Sequence, residues 1–182
     1  MSEAASELLQ QWADSLTPAT VSGPVLDVAC GDGRNGILLA GQGLCVICCD
    51  RSRPSLRLAR AAARRANLPI RLWWTDLEAS GRKPLPRNAF GAILVFRYLH
   101  RPLIPEIHAA LRPGGYVIYE TFTEEQARFG PPKNPDHLLR KGELAGLFSG
   151  WERLYAFEGE LPDPTRVMAQ LVARKPIHHD CA

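Results

Sequence analysis

The sequence predicts an α/β fold, a doubly wound and mostly parallel sheet with helices on both faces. Two features of the chain carry that prediction. Short apolar strands alternate with helical segments from residue 25 to residue 122, the pattern of a parallel sheet built from right-handed crossovers. Beyond 122 the pattern changes to a proline-rich stretch, one short helix and two strands joined by a turn. A length of 182 residues fits one domain.

Taken in order, residues 1–20 read as an amphipathic helix with Leu8, Leu9, Trp12 and Leu16 on one side. Pro18 and the Ser22-Gly23-Pro24 cluster end it. Strand one is Val25–Ala29, followed by a glycine loop at 31–33 and a helix over 34–42. Strand two covers 44–49. Helix two covers 54–66, with Pro54 near its first turn and many Ala and Arg residues. Strand three is 69–74, strand four 91–96. A helix over 102–111 stops at Pro113-Gly114-Gly115, and strand five is 116–122. Residues 123–140 contain several prolines and read as an ordered lid. Helix 141–148 and strands 151–158 and 166–173 follow, the last two as a hairpin closing one sheet edge. The expected organisation is an N-terminal helix over 1–20, a main domain over 21–175 and a flexible tail over 176–182.

Composition excludes several classes. Hydrophobic residues make up 46% and charged residues 23%, ordinary values for a globular chain. No apolar run reaches the ~20 residues that span a bilayer, and the acidic start MSEAASELLQQWADSL has no basic segment leading into an apolar one. The five cysteines, Cys30, Cys45, Cys48, Cys49 and Cys181, are odd in number and sit mostly in apolar runs. They fit reduced, buried thiols and a cytoplasmic location rather than disulfides or a metal site. Net charge is only +3, yet residues 51–71 hold seven arginines and no acid. Arg53, Arg57, Arg60 and Arg64 fall on one helix face. That stripe reads as a solvated surface, or as a contact for a polyanion such as RNA; no aromatic residues are interleaved for base stacking.

Ligands of open α/β sheets bind beyond the carboxyl ends of the strands. The loop there, Gly31-Asp32-Gly33-Arg34-Asn35-Gly36, formally matches a dinucleotide fingerprint. Asp27, four positions before Gly31, would repel a pyrophosphate and instead attracts a cationic group. Asp50 ends strand two, where a carboxylate accepts bonds from ribose hydroxyls. Asp76 follows strand three, where one can accept from an adenine amine. Acids at three strand ends beside a glycine loop describe an adenosine with a positively charged appendage, S-adenosylmethionine. Each acid alone also fits a helix cap or a loop bond.

These residues resemble those of the class I S-adenosylmethionine-dependent methyltransferases. The resemblance rests on Val25-Leu26-Asp27-Val28-Ala29-Cys30-Gly31-Asp32-Gly33, Cys49-Asp50, Thr75-Asp76-Leu77 and Leu111-Arg112-Pro113-Gly114-Gly115. It implies a Rossmann-like seven-stranded sheet whose antiparallel C-terminal strand inserts between strands five and six. It also implies a cofactor site drawn from Asp27, Ala29, Gly31, Gly33, Arg34, Asn35, Asp50, Arg51, Asp76, Leu77 and Phe96. Within the class, Gly33-Arg34-Asn35-Gly36, Lys141-Gly142-Glu143-Leu144, Gly150-Trp151-Glu152-Arg153, Gly159-Glu160-Leu161 and Ala173-Arg174-Lys175 are similar to the tellurite-resistance-type methyltransferases, thought to methylate soft or metalloid nucleophiles. Pro162-Asp163-Pro164 departs from that subfamily, where a His-Arg stretch follows Gly-Glu-Leu near the acceptor.

A soft ionised acceptor needs no strong base, whereas a hydroxyl or amine needs a nearby His, Glu or Tyr. His100, in the segment Phe96-Arg97-Tyr98-Leu99-His100-Arg101 after strand four, is the expected base. Arg97 is a candidate to hold an anionic acceptor, and Glu120 on strand five to orient an amine. Lys133 and His137 in the lid are placed to meet an acidic substrate. Motifs for nucleobase methylation are missing from the segment after strand four, so the acceptor expected is a small molecule: a thiol, a metalloid oxyanion or a small metabolite. The alternatives are a cofactor-binding module without turnover and an RNA-associated protein that uses the 51–71 arginines.

Overall fold

The computed structural model describes residues 4–79, 85–162 and 164–177. Its centre is a seven-stranded sheet of β1 (Val25–Val28), β2 (Val46–Asp50), β3 (Ile70–Trp74), β4 (Phe90–Phe96), β5 (Leu111–Phe122), β6 (Glu152–Leu161) and β7 (Arg166–Arg174). The order across the sheet is β3-β2-β1-β4-β5-β7-β6. β1 to β5 run parallel, and β7 runs antiparallel to both β5 and β6. The inserted antiparallel strand implied by the sequence resemblance is therefore present, and so is the edge hairpin.

Central strands are apolar on both sides because both sides are covered. Every residue of β1 and β4 is buried. Alternation along β1 splits the core. Val25 packs with Leu8, Leu9, Leu39 and Val46 on one face. Leu26 and Val28 pack with Ile104, Ile107 and Leu144 on the other. Helices α1 (Glu7–Trp12), α2 (Arg34–Gly41) and α3 (Arg53–Arg65) bring residues to the first face, and α4 (Ile104–Ala110) and α5 (Glu143–Leu147) to the second.

The structure adjusts several element bounds. The N-terminal helix is short and passes at Ala13–Ser15 into a tight 3-10 turn before Pro18. The segment at Arg101–Leu103 is likewise a 3-10 turn leading into α4, with prolines at Pro102 and Pro105 in the opening positions. The lid contains two such turns, Glu124–Arg128 and Pro135–His137. Cys30, Cys48 and Cys49 are buried as expected, but Cys45 is exposed, because it precedes the first paired residue of β2, Val46. Among the described residues no cluster of metal-ligating side chains occurs, and no helix is long and apolar enough to cross a membrane. Residues 178–182 of the expected tail, with Cys181, lie outside the described residues.

Candidate functional site

β1 and β4 are neighbours in the sheet, yet the chain leaves them toward opposite edges. Such a switch point opens a crevice beyond the strand ends. The residues that immediately follow the two strands there, Ala29 and Arg97, both adopt left-handed backbone, at φ 50 and 54 degrees. A side-chain-bearing residue pays roughly 1–2 kcal/mol for that conformation, and such strain collects at functional sites. Both residues line one cavity of about 510 Å³, within the range of small-molecule sites.

The β2 end supplies the floor of this cavity. Asp50 accepts a hydrogen bond from the Gly31 amide through Oδ2 (2.9 Å) and one from the Ser52 amide through Oδ1 (2.7 Å). Each carboxylate oxygen retains a second lone pair, so Asp50 fixes the loop and can still accept from a ligand. A Cβ placed on Gly31 would meet nothing within 4 Å, so the glycine loop stands open to an approaching molecule. Arg51, Asp76 and Leu77 line the same cavity. Asp76 is exposed and turns the chain by accepting from the Glu78 amide at 3.0 Å. Arg51 pairs with Glu78 at 3.2 Å.

The opposite wall comes from β4, β5 and the lid. It consists of Tyr98, Leu99, Phe122, Pro131, Pro132 and His137. The Tyr98 hydroxyl is buried without a hydrogen-bond partner among the described residues. Burial first, then the nearby Glu78 carboxylate, holds its pKa above the ordinary phenol range. The lid segment carrying His137 is tied down by Arg101, which donates to the carbonyls of Asp136 (3.1 Å) and Leu138 (2.8 Å). The same guanidinium grips Glu143 of α5 through two bonds of 2.6 and 2.9 Å.

Asp27 is not part of this wall. It faces α2 rather than the cavity, is 1% exposed, and accepts from the Gly36 amide at 2.9 Å. A Cβ on Gly36 would come within 3.0 Å of that carboxylate and 2.8 Å of the Cys48 sulfur, so glycine is what lets α2 approach the sheet. Burial pushes the Asp27 carboxyl up to about 7, against lesser downward pulls from the Gly36 amide and Arg34.

Other expected site residues gather in a second hollow of about 340 Å³ beneath the N-terminal segment, lined by Arg34, Asn35, Phe96, Arg97 and Glu120. Arg97 is thus the partition between the two cavities. Ser6 straps this hollow, donating its amide to Asn35 Oδ1 (2.9 Å) and its hydroxyl to Glu120 Oε1 (3.1 Å). Gln170 occupies the other Glu120 oxygen at 2.6 Å. Glu120 is therefore a buried, bonded group rather than one presented to the larger cavity. Gly31 and Gly33 shape the loop without lining either cavity.

His100, the expected base, lines neither cavity. Its carbonyl caps the 3-10 turn by accepting from the Leu103 amide at 2.9 Å. The histidine that reaches the larger cavity is His137, expected in the lid to meet an acidic substrate. Tyr98, Glu78 and Thr75, which line the same cavity, were absent from the expected site. All three lie within two residues of expected ones, Arg97 and Asp76, which is the signal that pointed toward them.

A family model described as "Methyltransferase domain" matches residues 25–115, half of the chain. The chain belongs to the S-adenosylmethionine-dependent methyltransferases. The residues of the larger cavity fit that cofactor: Asp50 and Asp76 offer acceptors for a nucleoside, and Asp50 is bonded to the Gly31 amide of the open glycine loop. An uncharacterised methyltransferase of Mycobacterium tuberculosis (strain H37Rv) is 34% identical over 111 residues, covering 58% of this chain and 54% of that protein. The chain thus spans about half the length of the curated relatives it matches. Among solved structures, TehB from Haemophilus influenzae superposes with a TM-score of 0.71 at 24% identity, covering 91% of this chain and 62% of that one. A Burkholderia thailandensis 1,6-didemethyltoxoflavin-N1-methyltransferase with bound 1,6-didemethyltoxoflavin and S-adenosylhomocysteine superposes with a TM-score of 0.63 at 21% identity, covering 93% and 79%. Both are likenesses of fold.

Proposed function

We propose that this methyltransferase domain transfers a methyl group to a small-molecule acceptor held between the end of β4 and the lid. One observation supports the reading above the rest. A single cavity joins the acids suited to an adenosine, Asp50 and Asp76, to a wall of Tyr98, Phe122, Pro131, Pro132 and His137. When bound, S-adenosylmethionine supplies an electrophilic methyl group on a sulfonium. Asp50 accepts from ribose hydroxyls, and Asp76 from the adenine amine. Phe122, Pro131 and Pro132 exclude water, which strengthens the electrostatics of a charged displacement. The unpartnered Tyr98 hydroxyl orients the acceptor, and His137 takes a proton from an acceptor that carries one. A volume of about 510 Å³, shared with the nucleoside, suits a small acceptor such as a thiol, a metalloid oxyanion or a compact metabolite.

The test is calorimetric titration with S-adenosylmethionine and S-adenosylhomocysteine, with NAD as control, followed by a labelled-methyl assay over those acceptor classes. Binding of the first two without NAD, and label on a small acceptor that falls in His137→Gln with cofactor affinity retained, is the expected outcome. Cofactor binding with no transfer to any of the three classes overturns the acceptor reading.

A further inference from the structure

β3 is an edge strand of the sheet, and α3 packs beside it. Along this flank Arg53, Arg57, Arg60 and Arg64 are all exposed. They border two hollows of about 340 and 320 Å³ that share Arg60 and Leu72, forming one groove between helix and strand. From Arg53 to Arg64 the helix advances about 16 Å. At one end of the groove Trp74 is 57% exposed, and the Arg53 guanidinium lies 4.0 Å above its ring.

A solvated helix face ordinarily interleaves charges of both signs, so that neighbours three and four positions apart attract. Here those neighbours are all arginines, and they repel. Among the described residues none of the four forms an ion pair, unlike Arg51 with Glu78 or Arg101 with Glu143. An unneutralised arginine row and an exposed indole each carry a cost in the isolated protein, and one ligand would relieve both. The aromatic group missing from the linear sequence around the stripe is supplied by the fold, because the β2–β3 pairing places Trp74 opposite Asp50, at the start of α3.

We propose that this α3–β3 groove binds single-stranded RNA, with phosphates on Arg57, Arg60 and Arg64 and a base stacked at Trp74. The guanidinium fork pairs with phosphate oxygens in a way a lysine row does not. Unstacked bases are recognised on aromatic rings and arginine planes, and RNA offers them in loops and ends. A membrane surface fits less well. The apolar residues Leu56, Ala59 and Ala63 of α3 are buried against the sheet, leaving Leu58 as the exposed large apolar side chain on this helix. RNA binding at this flank does not depend on which acceptor is methylated.

The experiment is fluorescence anisotropy of a labelled uridine oligonucleotide across a series of KCl concentrations. Unlabelled RNA, duplex DNA and heparin serve as competitors, and phosphatidylserine vesicles as a separate sedimentation arm. The wild-type protein is expected to bind, with unlabelled RNA the strongest competitor. Replacing Arg57, Arg60 and Arg64 together by Ala should lower affinity at least about tenfold and flatten the slope of log K against log salt by about 2, the value for three phosphate contacts on a single strand. Trp74→Leu should weaken binding at every salt concentration with the slope unchanged, and Trp74→Phe should restore it. Cooperative thermal melting of each variant reports an intact fold. The proposal is overturned if the folded wild type does not bind the oligonucleotide at low salt, or if the triple variant binds as the wild type does. It is equally overturned if heparin or duplex DNA competes as well as RNA, or if only the vesicles bind.

Discussion

The two walls of the larger cavity are built in opposite ways. On the side proposed for the nucleoside, the carboxylates are held within their own turns, Asp50 by Ser52 and Asp76 by Glu78, each two residues on, and the wider contacts, Gly31 to Asp50 and Arg51 to Glu78, span 19 and 27 positions. On the lid side, Arg101 reaches partners 35, 37 and 42 positions away. The first wall follows from strand ends and turns that would form in any chain with this pattern. The second exists only after the lid and α5 have come back over the sheet.

Four variants test that division and the scaffold behind it, beginning with the largest effect. Asp27→Asn should remove a pH dependence of stability. The buried carboxyl holds its proton up to about pH 7, whereas the unfolded chain releases it near 3.8. The native state thus binds more protons between those values, and stability from this group is present below pH 3.8 and lost as pH rises through about 7. The gap corresponds to about 4 kcal/mol at most. Chemical denaturation of wild type and variant across this window should show the variant gaining relative stability as pH rises; parallel curves would show that Asp27 ionises freely.

Next in size, Asp50→Ala should weaken S-adenosylhomocysteine binding by roughly 1–3 kcal/mol, the loss of a charged hydrogen-bond partner. Unchanged affinity in calorimetry would remove Asp50 from the nucleoside side. Arg101→Met should cost about 2 kcal/mol of stability while cofactor affinity stays within about twofold. A cofactor loss as large as that of Asp50→Ala would mean that the two walls are one unit. Smallest is Ser6→Ala. Ser6 joins Asn35 to Glu120 across the smaller hollow, and losing its hydroxyl should cost about 1 kcal/mol or less. A larger loss in the melting curve would show the strap to be a main connection between the halves.

The same division explains what could be read before the structure. Asp50, Arg51, Asp76, Leu77 and Ala29 were legible because each sits at or just past a strand end, and strand ends follow from apolar runs and turn residues. All five line the cavity. Asp27 was legible as an acid on β1, but not its direction: alternation along the strand turns it into the α2 face. His100 was favoured because it follows β4 closely. His137 instead reaches the cavity, held there by Arg101 capturing the Asp136 and Leu138 carbonyls, a long-range contact with no local signature. Sheet order was accessible through family resemblance, since the insertion of β7 between β5 and β6 is not written in either strand's own residues.

That insertion shapes the birth of the molecule on the ribosome. β6 emerges before β7, yet its strand pairing is with β7 alone. Until β7 arrives, β5 lacks its second neighbour and β6 is a ten-residue strand with both edges bare, the geometry that invites pairing with foreign chains.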